Sequence, residues 1–276
     1  MNLNKQEMPE LVHGETMVGD VRIVYQISGD GLPLVCCHAF SCDHTMWDHH
    51  RARFSQTHRM ITFDQRGSGD SDHPVWKDGI DNPYTIEAFA EDVRGVMDEL
   101  GIEKARILGF SMGAATALRF ATLWPERVER LVVASAMASR LPEEIISRSK
   151  KVEEVLAREG VEETYRFYFK DNPLFKDVKK DMTGGVMVYA KKATAHGFLG
   201  SFRVTIDRPS LVDELHRIQA PTLVIVGERD KHYLADAELM SNTIPNARKV
   251  VLENAGHALN AQVPRVFEDE VMKFLE

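Results

Sequence analysis

The sequence predicts an α/β fold: a mostly parallel central sheet flanked by helices, with a helical insertion over one end of the sheet. Apolar runs of strand length recur along the chain, helical patterns fall between them, and one long charged stretch interrupts the alternation. The 276 residues, 43% hydrophobic and 28% charged, are enough to bury a large core without external staples.

Two β-rich segments open the chain, around Glu10 to Glu15 and Arg22 to Ile27. Strand-length apolar runs follow at 32–37, 59–63, 105–110, 128–135, 222–227 and 247–253. These runs are continuous rather than alternating, as expected of strands covered on both faces. Residues 85–101 read as a helix with apolar positions at 86, 89, 93, 96, 97 and 100, ending on a glycine suited to a C-cap. A second helix begins after Ser111, and a third closes the chain over PRVFEDEVMKFLE. Between about Met137 and Leu215 no apolar strand occurs; the segment is charged and helix-prone, then glycine-rich around Gly184, Gly185, Gly197 and Gly200. The expected organisation is a core of residues 1–136 and 216–276 with a helical cap at 137–215.

A formal net charge of −8, with Lys and Arg spread along the chain, leaves no footprint for nucleic acid. No run of about 18 apolar residues occurs, and the first residues lack the basic start and apolar stretch of a signal peptide. The expectation is a cytoplasmic protein, monomer or homodimer, acting on a small molecule without cofactor or metal. All three cysteines fall between Cys36 and Cys42, unlike the evenly spaced even set of a secreted disulfide framework.

The stretch Gly109-Phe110-Ser111-Met112-Gly113 stands where a β run meets a helical pattern. A serine on a sharp strand-to-helix turn is lifted clear of the sheet, and flanking glycines let strand and helix approach without Cβ clashes. A serine hydroxyl is a weak nucleophile at neutral pH and needs a base with a group to orient it. Asp230, just past the strand TLVIVG, and His257, in the loop after the next strand, follow in the expected chain order. The other position for the acid reads Ser135-Ala136-Met137 and has no carboxylate; Glu228 lies earlier in the same turn as Asp230. His44, His49 and His50 lie in a polar helix-like stretch and are expected at the surface.

Together His38-Ala39-Phe40 with Trp47, DQRGSGDS at 64–71, GFSMG at 109–113, GERD at 227–230 and AGH at 255–257 resemble the α/β-hydrolase superfamily over nearly the whole chain. Within it, single-serine esterases, enol-lactonases and carbon-carbon bond hydrolases look most similar. The resemblance implies an α/β-hydrolase fold, hydrolysis of a small carboxylic ester or lactone through an acyl-enzyme, and an oxyanion hole made by the backbone N–H groups of Phe40 and Met112. Ser111 at the elbow separates the chain from dehalogenases and epoxide hydrolases of this fold, which resemble enzymes with aspartate there. A carbon-carbon hydrolase, an acyltransferase or a non-enzymatic ligand receptor with an intact triad would carry the same motifs. Against the superfamily pattern, Ala39 replaces a glycine and Gln262 a glutamate, the latter expected to affect packing; Asp64 and Arg66 are expected to shape a turn. Cys36 and Cys37, consecutive on a strand, point to opposite faces and are expected as buried small hydrophobes rather than metal ligands. Phe167, Tyr168, Phe169, Met182, Met187 and Phe198 of the insertion are candidates for an apolar pocket or for the insertion's own core.

Overall fold

The computed structural model describes residues 10–76, 81–141, 143–147, 149–170, 172 and 187–276. Met182, Gly184 and Gly185 lie outside them. Eight strands form one sheet: Val12–Val18 (β1), Val21–Ser28 (β2), Leu32–Cys37 (β3), His58–Phe63 (β4), Ala105–Phe110 (β5), Val128–Ala134 (β6), Thr222–Gly227 (β7) and Ala247–Leu252 (β8). Their order is β1-β2-β4-β3-β5-β6-β7-β8. β1 pairs antiparallel with β2 and β2 with β4, whereas every pairing from β4 to β8 is parallel. The strands thus follow the apolar runs, with one shift. The opening strand runs over 12–18 because Val18 pairs with Val21 across a two-residue turn at Gly19, whose φ of 61° suits a glycine.

Helices cover both faces. Ile86–Glu99 (α2), capped by the Thr85 side chain, and Met112–Leu123 (α3) pack their apolar sides onto one face. Asp48–Phe54 (α1) and the final helix, Pro264–Leu275, pack onto the other. Cys37 belongs to the first core and Cys36 to the second, both fully buried, as the strand period requires. Burial pushes both thiols up from the ordinary cysteine value.

Within the described residues the insertion is helical: Glu143–Ser147, Ser149–Phe169 with a break at Gly160, Met187–Ala190 and Ala195–Asp207. Its two ends are clasped. Arg208, where the segment returns, donates to the carbonyls of Met137 (2.5 Å) and Ser139 (3.1 Å), where it departs. Asp236 accepts from the Ala138 N–H at 2.5 Å and from the Ser139 hydroxyl.

Two buried polar pairs brace the loop after β4. Arg66 grips Asp92 of α2 through Nη2 (2.6 Å) and Nε (3.0 Å), and Asp64 accepts from both the backbone and the ring of His44 at 2.7 Å. Asp64 and Arg66 therefore sit in a structural turn, as expected. Removing one member of a buried pair strands the other, so Asp92→Ala should lower unfolding stability by about 3–5 kcal/mol in urea titration.

The surface expectation for the histidines is corrected at two positions. His49 is exposed, but His44 and His50 are buried, on Asp64 and on Glu268 (2.8 Å) respectively. Their partners lie far away in sequence, so the local polar pattern did not show them. Burial tends to lower His44, yet the Asp64 hydrogen bond and charge outweigh it and hold the imidazole above its usual value; Asp64, despite its own burial, is held below the usual carboxylate value by His44. A raised histidine contributes stability below its unfolded value, lost as pH rises through the folded one; a depressed aspartate contributes above its unfolded value, lost as pH falls. Both contributions overlap between about pH 4 and 6.5. The wild type should therefore gain most over His44→Gln in that window when the two are unfolded in urea across pH.

Candidate active site

Ser111 stands at the end of β5 with φ 53° and ψ −113°, a conformation a non-glycine residue adopts only when its surroundings enforce it. Its N–H donates to the Ala134 carbonyl of β6 at 2.9 Å. The two flanking glycines are required by contact: a Cβ on Gly109 would stand 2.4 Å from the Gly113 carbonyl oxygen, and one on Gly113 would stand 2.2 Å from that of Cys37. The Ser111 turn is thereby pressed against the end of β3, where the Ala39-Phe40 turn begins.

His257 Nε2 lies 3.0 Å from Ser111 Oγ, and His257 Nδ1 lies 2.8 Å from Asp230 Oδ2. An ionised carboxylate only accepts, so Nδ1 carries the proton and the Nε2 lone pair faces the serine hydroxyl. Asp230 and His257 are 4% and 5% exposed, which shields this relay from water. Asp230 occupies the N-cap of the helix Lys231–Thr243 but makes no capping bond there, leaving its carboxylate to the imidazole. Glu228, by contrast, is exposed and accepts from the Asn254 N–H at 3.0 Å.

The histidine loop is held from several sides. The Ser135 hydroxyl donates to the His257 carbonyl at 2.8 Å, and the Gly256 N–H donates to Gln262 Oε1 at 2.7 Å. The substitution at 262, expected to affect packing, thus fixes the residue before the histidine. Tyr233, three residues past Asp230, lays its ring 4.7 Å from the imidazole. The sequence reading missed Ser135, Tyr233 and Phe202; only the three-residue spacing of Tyr233 from Asp230 on a helix start was a usable signal.

Phe40 and Met112 are buried on either side of the elbow. As the first residue of α3, Met112 has an N–H with no carbonyl one turn earlier to accept it. The Ala39 carbonyl accepts from the Cys42 N–H at 3.2 Å and lies 2.8 Å from His38 Nδ1. Carbonyl and N–H of a trans peptide point in opposite directions, so anchoring the Ala39 oxygen turns the Phe40 N–H the other way.

A side-chain tie joins this turn to α3. Gln65 donates from its backbone N–H to His38 Nε2 (3.0 Å) and from Nε2 to the His38 carbonyl (2.9 Å), while its Oε1 accepts from Thr116 Oγ1 of α3 (2.9 Å). Gln65→Leu keeps the volume and cuts the tie; turnover of a short ester should fall on the order of tenfold with KM little changed. Steady-state kinetics would check it.

Aromatic rings of the insertion meet Phe40: Tyr168 at 5.2 Å, Phe198 at 5.1 Å and Phe202 at 5.6 Å between centroids. Phe198 is buried and Phe167, Tyr168, Phe169 and Met187 pack partly buried against the same core. Asp43, His44 and Asp64 bring one possible ligand atom each within 4.8 Å of one another. Asp64 Oδ1 already accepts from His44, and Asp43 Oδ1 from Thr45, so hydrogen bonds account for this cluster.

An eight-stranded sheet of this order with an elbow serine after β5 defines the α/β-hydrolase class. The chain belongs to that family: residues 33–262 match the model described as alpha/beta hydrolase fold. It is 30% identical over 237 residues to 3-oxoadipate enol-lactonase 1 of Acinetobacter baylyi, covering 85% of each chain. It is also 27% identical over 276 residues to a carboxylesterase of Bacillus subtilis, covering 96% of this chain and 88% of that one. Among solved structures, the enol-lactonase from Burkholderia xenovorans LB400 superposes with a TM-score of 0.80 at 27% identity, over 95% of this chain and 99% of the other. No helix among the described residues is long and apolar enough to cross a membrane.

Proposed function

We propose that the protein is a serine hydrolase that cleaves a small carboxylic ester or lactone through an acyl-enzyme. The observation that carries this reading is the unbroken relay from Ser111 Oγ to His257 Nε2 (3.0 Å) and from His257 Nδ1 to Asp230 Oδ2 (2.8 Å). His257 accepts the Ser111 proton as the hydroxyl attacks the carbonyl carbon, then returns it to the leaving alcohol oxygen; Asp230 fixes the tautomer and stabilises the imidazolium. The N–H groups of Phe40 and Met112 receive the developing oxyanion. Water, deprotonated by His257, releases the acid. Residues 137–215 act as a cap whose aromatic side chains, meeting Phe40, shape the substrate site. The enol-lactonase and carboxylesterase relatives support ester or lactone cleavage.

The test is a fluorophosphonate probe. Intact mass should rise by one phosphonyl group, with the adduct on Ser111, and short p-nitrophenyl esters should turn over. No mass change, or labelling that persists in Ser111→Ala, would remove the reading.

A further inference from the structure

Asp230, Tyr233 and Asp236 fall three apart around the start of the helix Lys231–Thr243 and so share one side of it. Asp230 meets the His257 imidazole, and Asp236 clasps the departing end of the insertion through the Ala138 N–H and the Ser139 hydroxyl. Tyr233 lies between the two, and the reaction described above gives it no part. It is buried, and its N–H donates to the Asp230 carbonyl at 2.9 Å. Its ring centroid lies 4.7 Å from that of the imidazole, with the planes 50° apart. Phe110, the residue before Ser111, meets the same imidazole in a T-shaped arrangement at 6.1 Å.

Burial, with the Asp230 charge beside it, pushes the Tyr233 hydroxyl well above the usual tyrosine range, so it stays neutral and does not rival His257 as a base. Arg208 and Asp236, which clasp the two ends of the insertion, act on that hydroxyl as well. What Tyr233 offers the imidazole is therefore a flat, buried ring in a fixed place. Its value differs between the two halves of the reaction. Before acylation the Ser111 hydroxyl, 3.0 Å from Nε2, itself holds the imidazole. In the acyl-enzyme Oγ carries the acyl group and no proton, so Nε2 loses that donor. The imidazole then depends more heavily on its other contacts, the Asp230 carboxylate and the Tyr233 ring among them.

We propose that Tyr233 is a positioning residue for deacylation, its ring holding the His257 imidazole in place while Ser111 carries the acyl group. In that step water attacks the acyl carbon as Nε2 takes its proton, and Nε2 returns the proton to Oγ as the bond between Oγ and the acyl carbon breaks. An imidazole that rocks away from the acyl carbon performs this step slowly, because the water and the base must be aligned together. Attack by Ser111 suffers less, since its own hydrogen bond to Nε2 restores the alignment. This role rests on the hydrolase reading.

The experiment follows a short p-nitrophenyl ester by stopped-flow and steady-state kinetics in the wild type, Tyr233→Phe and Tyr233→Leu. For such an ester kcat/KM reports attack by Ser111, whereas kcat includes release of the acyl group to water. Tyr233→Leu, which keeps apolar bulk but loses the flat ring, should lower kcat about tenfold and KM with it, leaving kcat/KM within about threefold. A stoichiometric burst of p-nitrophenolate should precede its steady state. Tyr233→Phe, which keeps the ring, should match the wild type within about threefold in both parameters. If urea titration shows the leucine variant unfolded, Tyr233→Met takes its place. An unchanged kcat, a kcat/KM that falls as far as kcat, or a phenylalanine variant as impaired as the leucine one overturns the role. Where the wild type cleaves the ester and Ser111 takes the phosphonate, such a result removes the Tyr233 role alone. Where the wild type does neither, the hydrolase reading falls and this role with it.

Discussion

Ser111→Ala lowers kcat for a short p-nitrophenyl ester on the order of 10⁴ to 10⁶-fold. The substitution removes the oxygen that lies 3.0 Å from His257 Nε2 and leaves everything else that binds substrate. The proposed oxyanion donors, the Phe40 and Met112 N–H groups, stay in place, so a residue of catalysis above the uncatalysed rate is expected to persist. The substitution is otherwise gentle. Ser111 keeps a φ of 53° because the elbow is pinned by its bond to Ala134, and alanine must adopt the same angle without help from a side chain. Circular dichroism and urea midpoint should therefore change little while turnover collapses. Loss of both together would mean that the serine acts through folding, and the mechanism would need another nucleophile.

The second large effect is expected at Asp230. Asp230→Asn keeps the shape of the side chain that meets His257 Nδ1 at 2.8 Å but replaces an acceptor by a group that can present an N–H. The imidazole then gains by placing its proton on Nε2, the nitrogen facing Ser111, where it can no longer accept one. Turnover should drop on the order of 10⁴-fold, with KM changing far less because nothing that contacts substrate has moved. Stopped assays with the phosphonate probe give a second readout: the rate of labelling at Ser111 should fall in parallel. A drop below about tenfold would show that the imidazole is oriented by other contacts, of which the Tyr233 ring and the Ser135 bond to the His257 carbonyl are the ones in place.

Much of the sheet was legible because the inner parallel strands, such as β5 and β7, are covered on both faces and read as unbroken apolar runs. β3, β5 and β7 begin and end at the residues expected. The opening hairpin was placed less well, since its start depends on a two-residue turn at Gly19 and on pairing with β2 rather than on apolar content. The histidines near β3 show the opposite difficulty. His50 sits in a polar stretch that reads as surface, yet it stacks on Phe54, meets Phe267 edge-on and pairs with Glu268, more than two hundred positions away. Local pattern measures polarity, whereas burial depends on whether a distant partner arrives to satisfy the polar group.

The sequence by itself determined the strand runs, the glycine-flanked turn at Ser111 and the order in which Ser111, Asp230 and His257 occur, because these follow from side-chain periodicity and from steric limits that act within a few residues. Only the tertiary structure decided which atoms meet: the 3.0 Å and 2.8 Å contacts of the imidazole, and the Gln65 tie between two loops. Hydrogen bonds act over about 3 Å, and residues far apart in the chain come that close only after the sheet and its covering helices have packed.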